Sequence, residues 1–324
     1  MGGILVFIEQ VDGVLEDSSL EVLGKGREIA DKLGVPLTGA ILGEGVGQIA
    51  VECAHRGAHV VLAADSPLLK DFTAETYSDV VAKIAKSSDP DILLIGATHN
   101  GTALAGMLAV RLETGLMAHV VDLEIEPGTN SLLGSVPGFG GSIVAVCKVR
   151  KGRPQMATVR TGVFAAAERT EQCGEVQPFS VDLKAEDVKC QTIERRVERG
   201  ASVSKAERIV IAGLGCKDQL SLPKRLADVT GSSFGVSRPL ADKGMAPRNL
   251  VIGSTGSSLN AKLALVFGVG GAAHFTSGLR NLETVVAVNS DPNAEIFKHA
   301  DYCVVGDATT VIPRLIAELG GGSS

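Results

Sequence analysis

The chain opens with a block pattern in which continuous apolar runs separate amphipathic stretches. Residues 4–8 are an uninterrupted apolar run with β-branched side chains, the pattern of a strand buried on both faces. Residues 18–33 then place Leu20, Leu23, Ile29, Ala30 and Leu33 close to a helical period. The alternation repeats: strands at 37–42, 59–63 and 92–95, and helices at 46–56, 73–84 and 102–112. Continuous apolar strands between helices predict a parallel sheet covered on both faces. From about 118 to 164 the pattern changes to consecutive strands at 120–125, 133–136, 143–149 and 155–160, with glycines at 138, 140, 141 and 152 supplying turns. This predicts an antiparallel addition to the first sheet.

Residues 166–207 are rich in Glu, Lys, Arg and Gln and break the periodicity, although 190–198 alternates partly like a strand. The pattern restarts with strands at 209–212, 250–252, 263–267, 284–289 and 302–305 and helices at 219–229 and 309–319. The fold class expected is therefore α/β with two doubly wound parallel-sheet domains, spanning 1–200 and 201–324. Glycines mark strand ends at 213, 253, 268 and 306. In an open parallel sheet ligands bind beyond the carboxyl ends of the strands, so these glycines stand where a ligand needs room.

Composition narrows the function. Hydrophobic residues make up 45% of 324 residues, enough for two cores, and aromatics only 3% with no Trp, so the cores are aliphatic and stacking platforms scarce. A net charge of −6 and the absence of a dense basic run argue against nucleic acid. The nearest candidate, residues 148–153, reads as an exposed hairpin turn. Six scattered cysteines without a C-x-x-C pair and six dispersed histidines argue against a disulfide framework or metal centre. No apolar run approaches the roughly 20 residues a bilayer demands, and no basic leader precedes the first strand, so a soluble, cytoplasmic protein without membrane insertion is expected.

Four segments carry candidate chemistry. Residues 268–273, G-V-G-G-A-A, match G-x-G-x-x-A after a strand, a pattern that either cradles phosphate on backbone N–H groups or simply makes a tight turn. The acidic residue of a dinucleotide-dehydrogenase fingerprint is replaced by Asn289, with Asp291 beyond it. Residues 235–242, G-V-S-R-P-L-A-D, hold one arginine among small residues, either a surface turn or a fixed positive charge over a ligand. Residues 253–256, G-S-T-G, join hydroxyls to glycines, and Asp307 follows Gly306, where it either accepts from ribose hydroxyls or caps the closing helix. There is no G-x-S-x-G elbow and no compelling carboxylate pair, so any redox chemistry belongs to a cofactor.

Taken in order, G-x-S-R-P-x-x-D, G-x-T-G, G-V-G-G-A and V-x-A-V-N-x-D-P-x-A-x-I-F-x-x-A-D-Y-x-V-V-G-D resemble the FAD domain of electron-transfer flavoprotein α subunits. Residues 154–160, P-Q-M-A-T-V-R, look like the end of that family's first domain, so the resemblance covers nearly the whole chain. It implies an FAD-containing electron carrier that works as a heterodimer with a β subunit holding AMP or a second FAD. Electrons would come from dehydrogenases, often acyl-CoA dehydrogenases, and pass to a quinone-linked oxidoreductase. The first domain would form the β-subunit interface, because residues 1–120 offer no phosphate loop: Gly43 to Gly47 turns into a helix and Glu44 repels phosphate.

Carried over by position, the resemblance places Ser237 and Arg238 by the flavin and Thr255 near its N5, with Ile252, Gly253 and Ser254 in the same loop. Gly270, Gly271, Ala272, Ala273, His274 and Phe275 would wrap the flavin and ribityl chain, and Leu214 lies at the first strand's end. Asn289, Asp307 and Ala308 would hold the adenosine half. The chain departs from the family where it has Leu214 for an arginine, Ser254 for a glutamine and Phe275 for a histidine that donates to the flavin. Losing a donor aimed at developing negative charge disfavours the anionic flavin and implies a shifted potential. Two enzyme readings stand beside the carrier: a flavin-bifurcating version that oxidises NADH, and an NAD(P)-dependent oxidoreductase built on G-x-G-x-x-A. A subunit that has lost its cofactor is the third.

Overall fold

A computed structural model describes residues 2–138, 143–190, 192–194, 203, 206–254, 256–257, 259–279 and 281–320. The chain divides into two compact units, 1–195 and 196–324.

The first unit begins with β1 (Ile4–Ile8), whose five residues are all buried. A small hairpin of β2 (Gln10–Val11) and β3 (Val14–Leu15) leads into α1 (Asp17–Leu33), which stops at Gly34 in the left-handed conformation, φ 66°. Then come β4 (Leu37–Gly43), α2 (Gly47–Ala54), β5 (Val60–Asp65), α3 (Ala74–Ser88), β6 (Ile92–Gly96) and α4 (His99–Arg111). After α4 run β7 (Leu116–Val120), β8 (Asp122–Ile125), β9 (Leu132–Gly138), β10 (Ile143–Cys147), β11 (Gln155–Val159) and β12 (Glu175–Pro178). Seven strands make one parallel sheet in the order β12-β5-β4-β1-β6-β11-β7. One face packs Val22, Leu23 and Ile29 of α1 and Ala50 and Cys53 of α2, and the other packs Val80, Val81 and Ile84 of α3 and Leu104 and Leu108 of α4.

The antiparallel strands are present, but they pair among themselves as β10-β9-β8 rather than extending the parallel sheet. Strand β11, expected among them, instead lies parallel between β6 and β7. Its QMATV sequence is buried throughout, which a strand inside a covered parallel sheet requires. Residues 148–153 are thus a crossing between two sheets, not a hairpin turn; Lys148 bonds Glu126 and Arg153 bonds Asp91. The polar stretch after 166 hides a short edge strand, β12, which pattern reading missed because its EVQP sequence has only one apolar strand former. Of the strand expected over 190–198, residues 190 and 192–194 are irregular and the others lie outside the described residues.

The second unit contains β13 (Arg208–Ala212), α5 (Ser221–Thr230), β14 (Ser233–Ser237), α6 (Arg238–Asp242), β15 (Val251–Ile252), β16 (Asn260–Phe267), α7 (Ala273–Thr276), β17 (Asn281–Asn289), β18 (Tyr302–Val305) and α8 (Ala308–Gly320). Its six parallel strands order as β15-β14-β13-β16-β17-β18. Numbered within the unit this is 3-2-1-4-5-6, the dinucleotide-binding order, which reverses direction between β13 and β16. Leu226 of α5 and Ile312 of α8 cover one face. The other is covered by shorter pieces, with Phe275, Leu279 and Ile296 reaching in from single turns between strands.

Candidate functional site

The reversal point of the second sheet determines where a ligand can enter. At the carboxyl ends of β13 and β16 two glycine loops pass each other at backbone distance. Gly213 N–H donates to the Phe267 carbonyl at 2.7 Å and Gly215 N–H to the Gly268 carbonyl at 2.9 Å. A Cβ on Gly213 would stand 2.2 Å from the Gly268 oxygen, so no larger residue fits there. The loops then diverge, and a cavity of about 420 Å³ opens beyond the strand ends. That size falls within the roughly 300–1,000 Å³ of cofactor and small-molecule sites.

The walls come from four strand ends: Leu214 after β13, Ser237, Arg238, Pro239 and Asp242 at the β14–α6 junction, Ile252 closing β15, and residues 268–272 with His274 and Phe275 after β16. Ten of the residues expected from the sequence meet here: Leu214, Ser237, Arg238, Ile252, Gly270, Gly271, Ala272, His274 and Phe275 line the cavity, and Ser254 hydrogen-bonds a lining residue. Pro239, Asp242, Gly268 and Val269 also line it; the signal was present, since all four lie inside the motifs already singled out. Gly253 and Ala273 stand just behind the wall. Gly253 has φ 127°, and a Cβ there would meet the His274 carbonyl at 2.4 Å. The Ser254 N–H donates to that carbonyl at 2.7 Å, and Ser254 Oγ lies 3.2 Å from His274 Nδ1. The loop after β15 is thereby fastened to α7. Thr255 lies outside the described residues.

Chemically the cavity is mostly small and apolar. Phe275 is buried and belongs to the core. Arg238 is the positive group, its Nε donating to Asp242 at 3.2 Å; both side chains are about half exposed, so the pair adds little to stability. No Cβ contact lies within 4 Å of Gly270, so its backbone is open to the cavity side. Among the described residues no protein acceptor engages the N–H of Gly270, Gly271 or Ala272, and consecutive free N–H groups of this kind favour an anion. The helix opened by this loop is a single turn, α7, so the loop lacks the long helix of the dehydrogenase fingerprint.

Asn289, Asp307 and Ala308 do not line the cavity. Asn289 Nδ2 donates to the Val269 carbonyl at 2.8 Å, and its Oδ1 accepts from the Asp291 N–H at 3.0 Å. Asp307 Oδ1 accepts from both the N–H and the hydroxyl of Thr309 at 2.8 Å, and these bonds hold its carboxyl below the ordinary carboxylate range. Ala308 starts α8.

The first unit has an equivalent reversal point, between β1 and β6, where a buried carboxylate stands. Glu9, buried after β1, accepts from Thr98 and from Asn100 Nδ2 at 2.9 Å, at the start of α4. Burial pushes the Glu9 carboxyl up, against the two hydrogen bonds. The glycine loop at 43–47 is likewise spoken for, because Asp65 accepts from the N–H groups of Gly45 and Val46. A larger hollow of about 710 Å³ lies at the amino ends of β5 and β12. Its arginines, Arg27 and Arg56, are bonded to Asp31 and Glu52 and to the Gly57 and Ala167 carbonyls, which leaves little fixed positive charge for a ligand.

Sequence comparison agrees with this division. Residues 4–184 match the electron transfer flavoprotein domain, and residues 202–280 match the electron transfer flavoprotein FAD-binding domain. The electron transfer flavoprotein subunit alpha of Thermoanaerobacterium thermosaccharolyticum is 37% identical over 98% of this chain and 97% of its own length. The protein FixB of Rhizobium meliloti is 35% identical over 96% and 91%. Subunit LctC of the lactate dehydrogenase (NAD(+),ferredoxin) of Acetobacterium woodii is 34% identical over 98% of this chain and 77% of its own length. With both domains matched and the first two relatives aligned over at least nine tenths of their length, the chain belongs to the electron transfer flavoprotein α-subunit family, which includes the FixB proteins.

Proposed function

We propose that this chain is the FAD-holding subunit of a heterodimeric electron carrier, taking electrons from a dehydrogenase and passing them to a quinone-linked oxidoreductase, with the flavin seated in the second unit's cavity. The observation that carries this reading is the cavity's place at the reversal point of a 3-2-1-4-5-6 sheet inside a domain matching the family's FAD-binding domain. The residues present suit a flavin. Ile252, Leu214 and Phe275 offer apolar surface to a ring system, and the N–H groups of residues 270–272 offer donors to a polar or phosphate group. Arg238 supplies a positive charge at the rim. Bound there, FAD would supply the one- and two-electron chemistry, and the protein position and electrostatics. Ser254 orients His274, and the close contact at Gly253 holds both loops in register. Phe275 offers no hydrogen-bond donor, so the cavity stabilises added negative charge on a flavin less than a histidine there would.

The first unit serves in this reading as the surface for a β subunit, which carries AMP or a second FAD. No helix among the described residues is long and apolar enough to cross a membrane, in keeping with a cytoplasmic carrier. One observation favours a second reading, a flavin-bifurcating carrier that oxidises NADH: the Acetobacterium woodii relative is named for both NAD(+) and ferredoxin. The test is an absorbance spectrum with cofactor extraction from the chain co-expressed with its β subunit. One FAD and one AMP per heterodimer supports the simple carrier, and two FAD supports bifurcation. Colourless protein that takes up no flavin overturns both.

A further inference from the structure

Strand β10 is the bare edge of the antiparallel sheet. It pairs with β9 on one side and with no described strand on the other. Its sequence, IVAVC, holds no charge and no proline, and its register with β9 has no bulge. Those are the devices by which natural edge strands refuse a further strand. Ile143, Val144 and Val146 are 55%, 56% and 66% exposed. On the face that β10 turns toward the first unit, Cys147 and the neighbouring Val136 pack against the core. Val144 and Val146 lie on the opposite face.

The backbone shows which groups are open. In an antiparallel pair, opposed residues alternate between exchanging hydrogen bonds and turning their N–H and C=O groups away from each other. Val144 stands opposite Pro137, which has no N–H, and Val146 stands opposite Ser135, whose carbonyl accepts from the Val121 N–H on the β8 side. Both pairs are therefore of the second kind, and the N–H and C=O groups of Val144 and Val146 point out along the open edge. Past the end of the strand the chain turns basic. Lys148 pairs with Glu126 and Arg153 with Asp91, while the exposed Arg150 and Lys151 meet no carboxylate among the described residues.

Resting on the heterodimer reading above, we infer that this edge is taken by a strand of the β subunit, added to β10 through main-chain hydrogen bonds to Val144 and Val146, with carboxylates at that strand's end meeting Arg150 and Lys151. In strand addition main-chain bonds supply affinity and the flanking side chains supply specificity. An added strand satisfies the open backbone groups, takes Val144 and Val146 out of water and answers the basic end. A second copy of this chain meets only the first two needs, since residues 143–153 contain no acidic residue.

The experiment is hydrogen exchange on the wild-type chain co-purified with its β subunit. The Val144 and Val146 amides are expected to exchange at least about a hundredfold more slowly than unprotected amides. Exchange at the unprotected rate in an intact heterodimer overturns the inference and leaves the heterodimer reading standing. In a second arm, labelled β subunit is titrated with two variants: Val146→Pro, which removes an outward N–H, and the charge reversal Arg150→Glu with Lys151→Glu. Each is expected to raise the dissociation constant at least about tenfold, and values within about threefold of wild type for both overturn the inference. A homodimer of this chain that Val146→Pro breaks gives the edge to a second copy and also overturns it. Failure of the wild-type chain to bind a β subunit at all overturns the inference and the heterodimer reading together.

Discussion

Gly253 and Gly270 lie on the same two loops and are needed for opposite reasons. Gly253 sits at φ 127° with the His274 carbonyl 2.4 Å from where a Cβ would be. Gly253→Ala is expected to cost about 1–3 kcal/mol from backbone strain, read as a lower midpoint in denaturant unfolding. Gly270 faces open space. Gly270→Ala is expected to leave that midpoint in place and to weaken flavin binding about tenfold, equivalent to about 1.4 kcal/mol; an unchanged affinity places the flavin elsewhere. Glu9 makes the residue-scale case for pH. Its carboxyl is held above the model-compound value of 4.5 chiefly by burial. The folded state thus binds this proton more tightly than the unfolded chain, so its stabilising contribution is full below the unfolded value and is lost as pH rises through the folded one. Glu9→Gln removes the titration. Denaturant unfolding at several pH values is expected to show the variant gaining on wild type from about pH 4 toward neutrality.

Among the elements, one carboxylate ties α1 to the chain that follows β11. Glu21, buried on α1, accepts from the N–H groups of Gly162 at 2.9 Å, Val163 at 3.0 Å and Phe164 at 3.3 Å. These residues follow β11, so the bonds pin the chain as it leaves the sheet. Glu21→Ala strands several backbone donors, and the expected loss is about 2–3 kcal/mol, measured by chemical unfolding; a loss below 0.5 kcal/mol, on the order of an ordinary surface change, would show that water replaces the carboxylate. The elements themselves were largely legible. The runs at 4–8, 37–42, 92–95 and 209–212 became strands because continuous β-branched and aliphatic stretches have no other buried home, whereas 302–305 became an exposed strand at the sheet edge. Strand β12 was not legible, because the EVQP segment pairs along the β5 edge and gives the core only one apolar side chain, Val176. Nor were the hydrogen-bond partners of Asn289 and Asp307, since sequence position reveals residue type and not which neighbour a side chain has found.

For the whole molecule, a flavin seated in the second unit is expected to stabilise the two units differently. Saturating FAD at about 100 times its dissociation constant adds about 2.7 kcal/mol to the stability of whatever binds it. Hydrogen exchange is expected to show that protection in the core strands of the second unit, β13 and β16 above all, and little of it in β1 or β6 of the first. Protection centred on β1 and β6 instead would move the flavin to the first unit's reversal point, beside Glu9.

What the sequence determined by itself was the parallel α/β class, the cofactor domain and its family, because apolar period and the spacing of glycines and polar residues are local properties written in order along the chain. The tertiary structure alone decided strand order, and with it the site. Which strand ends meet depends on pairings between residues far apart, such as Ala212 with Phe267 and Gln155 with Ile92. The first pairing sets Leu214 and Gly268 at one reversal point and opens a cavity beside Phe275. In the first unit, β1 pairs with β6 in the same way, yet there a buried Glu9 bonds Thr98 and Asn100 at the strand end, a difference that no period or motif along the chain expresses.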